Sequence, residues 1–358
     1  MFKPKYTITN QILKQIGRID ASKEIIEATP IIPAWDSKLK RDAIERSVHF
    51  GTRLEGNGLT MEQVQELIDG KEVKAPQKDI QEILAYQQGM QFVEKIVRQI
   101  GPGKPYQLTI ETINEIHRLI TENILPVEHS GIYRERQIVI RNTQTGEISY
   151  SPPPAVEVSF MLEDLIGWIN SKDGRAFHPV IKSAVIHFEL MRVHPFLAAN
   201  SKTSQLLTWL VLSLDDYYFH DFISLNEYFD QDPLKYFSLI QKVAKQKVVD
   251  SSERDITDWL EYFVEGFAEE ASSIREKVKL VSRESHIKDK FGFGIELNER
   301  QMIILEYLRK HDLMMNKDFR KIFPDFSDDT VLRELKFLKE KGLVKKVGGT
   351  KKAQYILG

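Results

Sequence analysis

The sequence predicts a mainly α chain with one small β-hairpin in its body and a compact tail that ends in a second hairpin. Three observations predict it. Apolar residues recur at helical spacing, as Ile181, Ala184, Val185, Phe188 and Met191 do. Short strand-like runs flanked by turn residues fall at 138–150 and 343–357. Pro179, Pro195, Gly70 and Gly342 stand where helices should start or stop.

The elements follow in order. Glu55 should end a helix before Gly56, and Thr60 to Gln63 reads as a capping box opening a helix that Gly70 closes. Ile138, Val139 and Ile140 form a short strand. Asn142 to Gly146 is a turn, Ile148 to Tyr150 the returning strand, and Pro152 to Pro154 its end. Pro179 suits a first helical turn, and the helix to about Arg192 should bury one face. Pro195 stops it and pushes His194 out of helical geometry. A second helix should run from about Ser201 through Leu206, Leu207, Trp209, Leu210 and Leu214, with Asn200 or Ser201 as N-cap.

The tail reads as a small domain after Gly292 and Gly294. Asn298 caps a helix through Ile303, Ile304, Tyr307 and Leu308. Met315 to Ile322 is a second short helix. Ser327 caps a third with Val331, Leu332, Leu335 and Leu338 apolar, and Gly342 ends it. Leu343-Val344, Gly348-Gly349 and Tyr355 to Leu357 suggest a hairpin. The arrangement is similar to winged helix-turn-helix domains, whose third helix enters a major groove. Over 296–358 there are 14 Lys/Arg against 10 Asp/Glu, and Lys345, Lys346, Lys351 and Lys352 gather in the wing, a patch suited to DNA phosphates.

Composition narrows the classes. The 358 residues suggest two or three domains, and 42% hydrophobic with 28% charged residues is an ordinary globular balance. A net charge of −2 gives no global field for nucleic acid, and the absence of cysteine excludes disulfides and thiolate zinc sites. No apolar run approaches a membrane span, and Met1 to Lys5 lacks a signal-peptide core, so no membrane partner and a cytoplasmic location are expected. His187 and His194 are seven apart with no third ligand at suggestive spacing, so no metal site is expected there.

Residues 194–205 carry the chemistry. The first amides of the helix after the loop lack internal partners and favour an anion such as phosphate. His194 sits just before them, where it could take a proton from an incoming hydroxyl. By spacing alone, a histidine before a proline is more often an ordinary helix-end residue.

This stretch resembles the signature of Fic-domain proteins, His-x-Phe-x-[Asp/Glu]-Gly-Asn-Gly-Arg-x-x-Arg. His194, Pro195, Phe196 and Asn200 match. Ala198 stands at the metal-binding acid, Ala199 and Ser201 at the glycines, Lys202 and Gln205 at the arginines. The flanks from roughly 35 to 285 agree. The resemblance implies a Fic helical core with a small β-hairpin flap, here followed by a C-terminal winged helix-turn-helix domain. The expected domains are a helical segment at 1–100, the core at 101–290 and the winged helix at 296–358. It also implies transfer of AMP from ATP to a Ser, Thr or Tyr hydroxyl of a target protein. His194 would be the general base and Phe196 would pack beneath the loop. Asn200, Ser201, Lys202 and Gln205 would line the nucleotide site, and Tyr236 would face the base. Ala198 cannot ligate Mg²⁺, which prefers carboxylate and phosphate oxygens. Lys202 keeps charge without a bidentate fork. The 131–153 hairpin would be the flap, whose edge can pair with an extended target segment.

Leu54 to Asn57 resembles the family's inhibitory motif, [Ser/Thr]-x-x-x-Glu-[Gly/Asn]. Glu55 and Gly56 match, and Gly51 stands at the Ser/Thr position. In relatives the glutamate pairs with the second signature arginine. Here Gln205 occupies that place, so the expectation is no ion pair there and at most a hydrogen bond of ~1 kcal/mol. Three functions stay open: a Fic-like regulator, nucleotide-binding but impaired in AMP transfer; an active adenylyltransferase; and a DNA-binding regulator whose core senses a ligand or holds a homodimer.

Overall fold

The computed structural model describes residues 2–141, 146–217, 219–248, 253–291, 297–311, 313–324, 326–348 and 353–358, with the side chains of 283–291, 299, 306, 309 and 310 set aside. The chain is mainly helical and divides into two compact units, Met1–Val278 and Lys279–Gly358.

The first unit contains α1 (Asn10–Ala28), α2 (Pro33–Arg53), α3 (Met61–Ile68), α4 (Gln77–Ile100) and α5 (Ile110–Thr121). The hairpin β1 (Ile140–Arg141) and β2 (Ile148–Tyr150) follows. Then come α6 (Val158–Asn170), α7 (Lys172–Arg175), α8 (Pro179–Val193), α9 (Asn200–Leu214), α10 (Leu225–Gln231) and α11 (Pro233–Ala244). Helix α12 (Thr257–Phe291) carries the division between the units.

Helices α8 and α9 form the centre. Every residue of α8 from Val180 to Val193 is buried, so the expectation of one buried face is corrected. A helix buried all round lies inside other helices: α9, α6 and α11 pack on α8, while α4 and α5 pack on α9. Pro179 sits in the first turn as expected, and the His178 ring caps it by accepting the Val180 amide. Trp259 of α12 locks onto α8 by donating its indole N–H to Ala184 O at 2.8 Å.

The capping box of Thr60 and Gln63 is present, and Gly70 closes the turn at φ 75°. The hairpin is shorter than expected, since Ile138 and Val139 precede the strand. Ile140 pairs with Tyr150 and Arg141 with Ile148. Of its predicted turn, Asn142 to Thr145 lie outside the described residues. Among the described residues no helix is long and apolar enough to cross a membrane.

The second unit contains α13 (Glu299–His311), β3 (Met314–Met315), α14 (Phe319–Ile322), α15 (Asp328–Glu340), β4 (Val344–Val347) and β5 (Gln354–Leu357), with sheet order β3-β5-β4. Asn298 and Gln301 cap α13 reciprocally. Ser327 caps α15, and Gly342 follows it at φ 74°. Met314, Phe319, Val331, Leu335, Leu338 and Tyr355 share one buried cluster. The edge strand at Met314–Met315 replaces the start of the expected second helix, because it pairs with Gln354 and Tyr355. Gly292, Gly294, Gly349, Lys351 and Lys352 lie outside the described residues.

Candidate functional site

The loop between α8 and α9 is built by its own side chains. His194 ends α8 in the left-handed conformation (φ 50°, ψ 61°), with its amide on Leu190 O. The Asn200 amide group turns back on the loop, accepting the Phe196 N–H and donating to Phe196 O, both at 2.9 Å. Asn200 therefore closes the loop. The expected N-cap is corrected. Ala199 holds that position at φ 56° with no side-chain cap, and Asn200 and Ser201 are already helical. A left-handed alanine costs about 1–2 kcal/mol, which a glycine would not.

Two residues that the sequence did not single out brace this loop. The buried His117 ring stacks on Phe196 (3.7 Å, 6°). Its Nδ1 accepts the Gly131 amide at 2.8 Å, which leaves Nε2–H to donate to Ala198 O at 3.2 Å. Arg134, 2% exposed, donates from its amide to Pro195 O, from Nε to His194 O and from the guanidinium to Pro153 O. One side chain thus ties the loop to the foot of the hairpin. Neither role leaves a periodic trace in sequence. The Gly131-x-x-Arg134 spacing ahead of the hairpin was the one available signal.

His194 is half-buried, and burial pushes its imidazole down to about 4. It is neutral at pH 7. With Nδ1–H on Met191 O (3.4 Å), Nε2 keeps a lone pair. A base so far below the working pH is a weak one.

The start of α9 already has an anion. One Glu55 oxygen accepts the Lys202 amide at 3.3 Å, and the other meets Lys202 Nζ at 2.8 Å. Glu82 stands 3.8 Å from the same ammonium, which is 4% exposed. Burial opposes the Lys202 charge, yet Glu55 and Glu82 outweigh it and hold its pKa above the ordinary lysine value. The turn after α2 aims Glu55 here. Gly56, at φ 96°, lets the chain reverse, and its amide bonds Arg53 O. Glu55 has no arginine at position 205 and pairs instead with Lys202, one turn earlier on α9.

Gln205 has other partners. Its Oε1 accepts from the Tyr86 hydroxyl at 3.0 Å and its Nε2 donates to Ser201 Oγ at 3.1 Å. Asn226 donates to Tyr86 and to Ser47 O. Gly51 stands close to this network: a Cβ there would lie 2.6 Å from Asn226 Nδ2 and 2.8 Å from Gln205 Oε1, so those side-chain ends would have to shift. Tyr236 is buried completely, its hydroxyl 2.7 Å from His187 Nε2 and its ring stacked on Phe229. Aromatic side chains of α8, α10 and α12 enclose it.

The residues do not suit Mg²⁺. Ala198 offers a methyl group and a carbonyl already bonded to His117, and the nearby Glu55 carboxylate is committed to Lys202.

Residues 107–212 match the family described as Fic/DOC. A protein adenylyltransferase Fic from Drosophila ananassae is 24% identical over 200 residues, 54% of this chain and 37% of that protein. One from Aedes aegypti gives the same figures. The chain thus spans less than two fifths of the length of the curated relatives it matches. Among solved structures, a Fic family protein from Desulfovibrio desulfuricans is similar in fold, with TM-score 0.63 and 20% identity over 100% of this chain and 98% of that one. Fic-1 from C. elegans gives TM-score 0.60 and 17% identity over 76% and 73%.

Proposed function

With residues 107–212 a Fic/DOC-family domain, we propose that the chain is a regulatory Fic protein, impaired in AMP transfer, whose phosphate place is closed by its own Glu55. The carrying observation is the Glu55 carboxylate on the Lys202 amide and ammonium, beside an alanine where the family has an acid. ATP needs that helix start for its phosphates, so the nucleotide and Glu55 compete. The half-buried His194 imidazole, neutral at pH 7, would receive the hydroxyl proton of a target segment paired along the hairpin edge.

Labelled ATP tests this. Auto-modification should stay at background with or without Mg²⁺, and His194→Ala should change nothing. Robust Mg²⁺-dependent labelling that His194→Ala abolishes would establish the active adenylyltransferase instead. Glu55→Gly should tighten ATP binding about tenfold in calorimetry, the scale of one charge-assisted hydrogen bond. It should leave labelling at background. Joint replacement by Ala198→Asp, Ala199→Gly, Ser201→Gly, Lys202→Arg and Gln205→Arg should restore transfer.

A second reading concerns the 279–358 unit, taken as a winged helix on DNA. Arg333 and Lys336 on α15, with Lys345 and Lys346 on β4, are all exposed, which favours it. Replacing Lys345 and Lys346 by Ala should flatten the salt dependence of duplex binding by about two units, at roughly −0.9 per phosphate contact. No salt-dependent binding to random duplex at low salt would remove this reading.

A further inference from the structure

A cavity of about 200 Å³ lies between α2, α4, α9 and the 219–226 segment, on the far side of Gln205 from the catalytic-type loop. Its walls are mainly apolar, from Ala43, Ile44, Met90, Leu206, Leu212 and Phe229. Trp209, also in the wall, is the one residue of α9 that is not buried.

The lining holds two polar groups beside its apolar walls. Ser224 Oγ is buried with no hydrogen bond, and the Asp221 carboxylate lies near Lys40 and Arg98, with Glu94 and Asp36 opposing them. The other charges near Asp221 neutralise one another: Lys40 pairs with Asp36, and Arg98 with Glu94. Asp221 is therefore a surplus negative charge at the cavity. Phe219, His220 and Asp221 all have positive φ, at 49°, 56° and 63°. Left-handed non-glycine residues cost of order 1 kcal/mol each and cluster at ligand sites.

We propose that this cavity binds a small aromatic amine, its ring among the apolar walls and its ammonium on Asp221 with the Ser224 hydroxyl beside it. The size agrees, since an apolar cavity of about 150 Å³ accepts benzene. A phenyl ring with a two-carbon arm fills the extra space. Burial raises the Asp221 carboxyl to about 6, so it is ionised at pH 7.5.

The test uses the full chain at pH 7.5, titrated with 2-phenylethylamine, 2-phenylethanol and 3-phenylpropionate in calorimetry and tryptophan fluorescence. The amine should bind saturably and at least about tenfold tighter than the other two, as expected for a buried charge partner. Trp209→Phe should remove the fluorescence change and keep the heat. Asp221→Asn should weaken the amine by at least about tenfold and leave the alcohol unchanged. No saturable binding of the amine, equal binding of the propionate, or an unaffected Asp221→Asn variant overturns the proposal. If Asp221→Asn fails to fold, Ala43→Leu, which fills the cavity, decides: lost amine binding supports the site, and retained binding overturns it.

Discussion

Replacing Lys202 by Met is expected to lower the unfolding free energy of the 1–278 unit by about 3–5 kcal/mol. The ammonium is 4% exposed between Glu55 and Glu82, and Glu82 is itself buried. Removing the cation leaves two carboxylates facing each other in a place of low dielectric. The loss is thus mostly the cost of stranded anions, and the intact cluster need not be strongly stabilising. Guanidinium unfolding followed by tryptophan fluorescence reads it directly, because Trp35, Trp168, Trp209 and Trp259 all lie in that unit. Adding Glu55→Gln and Glu82→Gln to Lys202→Met should recover most of the loss. A single-variant loss below about 1 kcal/mol would mean that the cluster behaves as a solvated surface pair.

Lowering the pH from 7 to 5 should remove about 5 kcal/mol from the same unit. Burial pushes the His117 and His194 imidazoles down to about 4 and that of His187 to about 3. All three are neutral when folded and take up protons once unfolded, where the value is near 6.5. Their contribution is complete above that value and is lost as pH falls toward the folded pKa, about 2 kcal/mol each by pH 5. Asp221 acts in the opposite sense: burial raises it to about 6, so it favours the folded state on acidification and offsets about 1 kcal/mol. Denaturant titrations at pH 7, 6 and 5 measure the slope. His187→Phe should remove about one proton's worth of it. An unchanged slope in that variant would mean His187 is protonated in the folded state.

The sequence by itself determined several helix ends and the match of residues 107–212 to the Fic/DOC family. Pro179, Thr60, Ser327 and Gly342 act through local backbone rules, which need no knowledge of distant residues. The 194–205 stretch identified the loop, because its replaced positions lie in one contiguous run. Only tertiary structure decided the partners. Glu55 and Lys202 are 147 positions apart, and which of Lys202 and Gln205 meets Glu55 depends on how α2 crosses α9. The same crossing brings Gly51 against Gln205 and leaves a cavity beside Trp209, while the packing of α11 on α8 makes Tyr236 a core residue. Periodicity records which face of a helix is apolar, but it carries no information about which other helix covers it or how closely they approach. Those are properties of packing between segments remote in sequence.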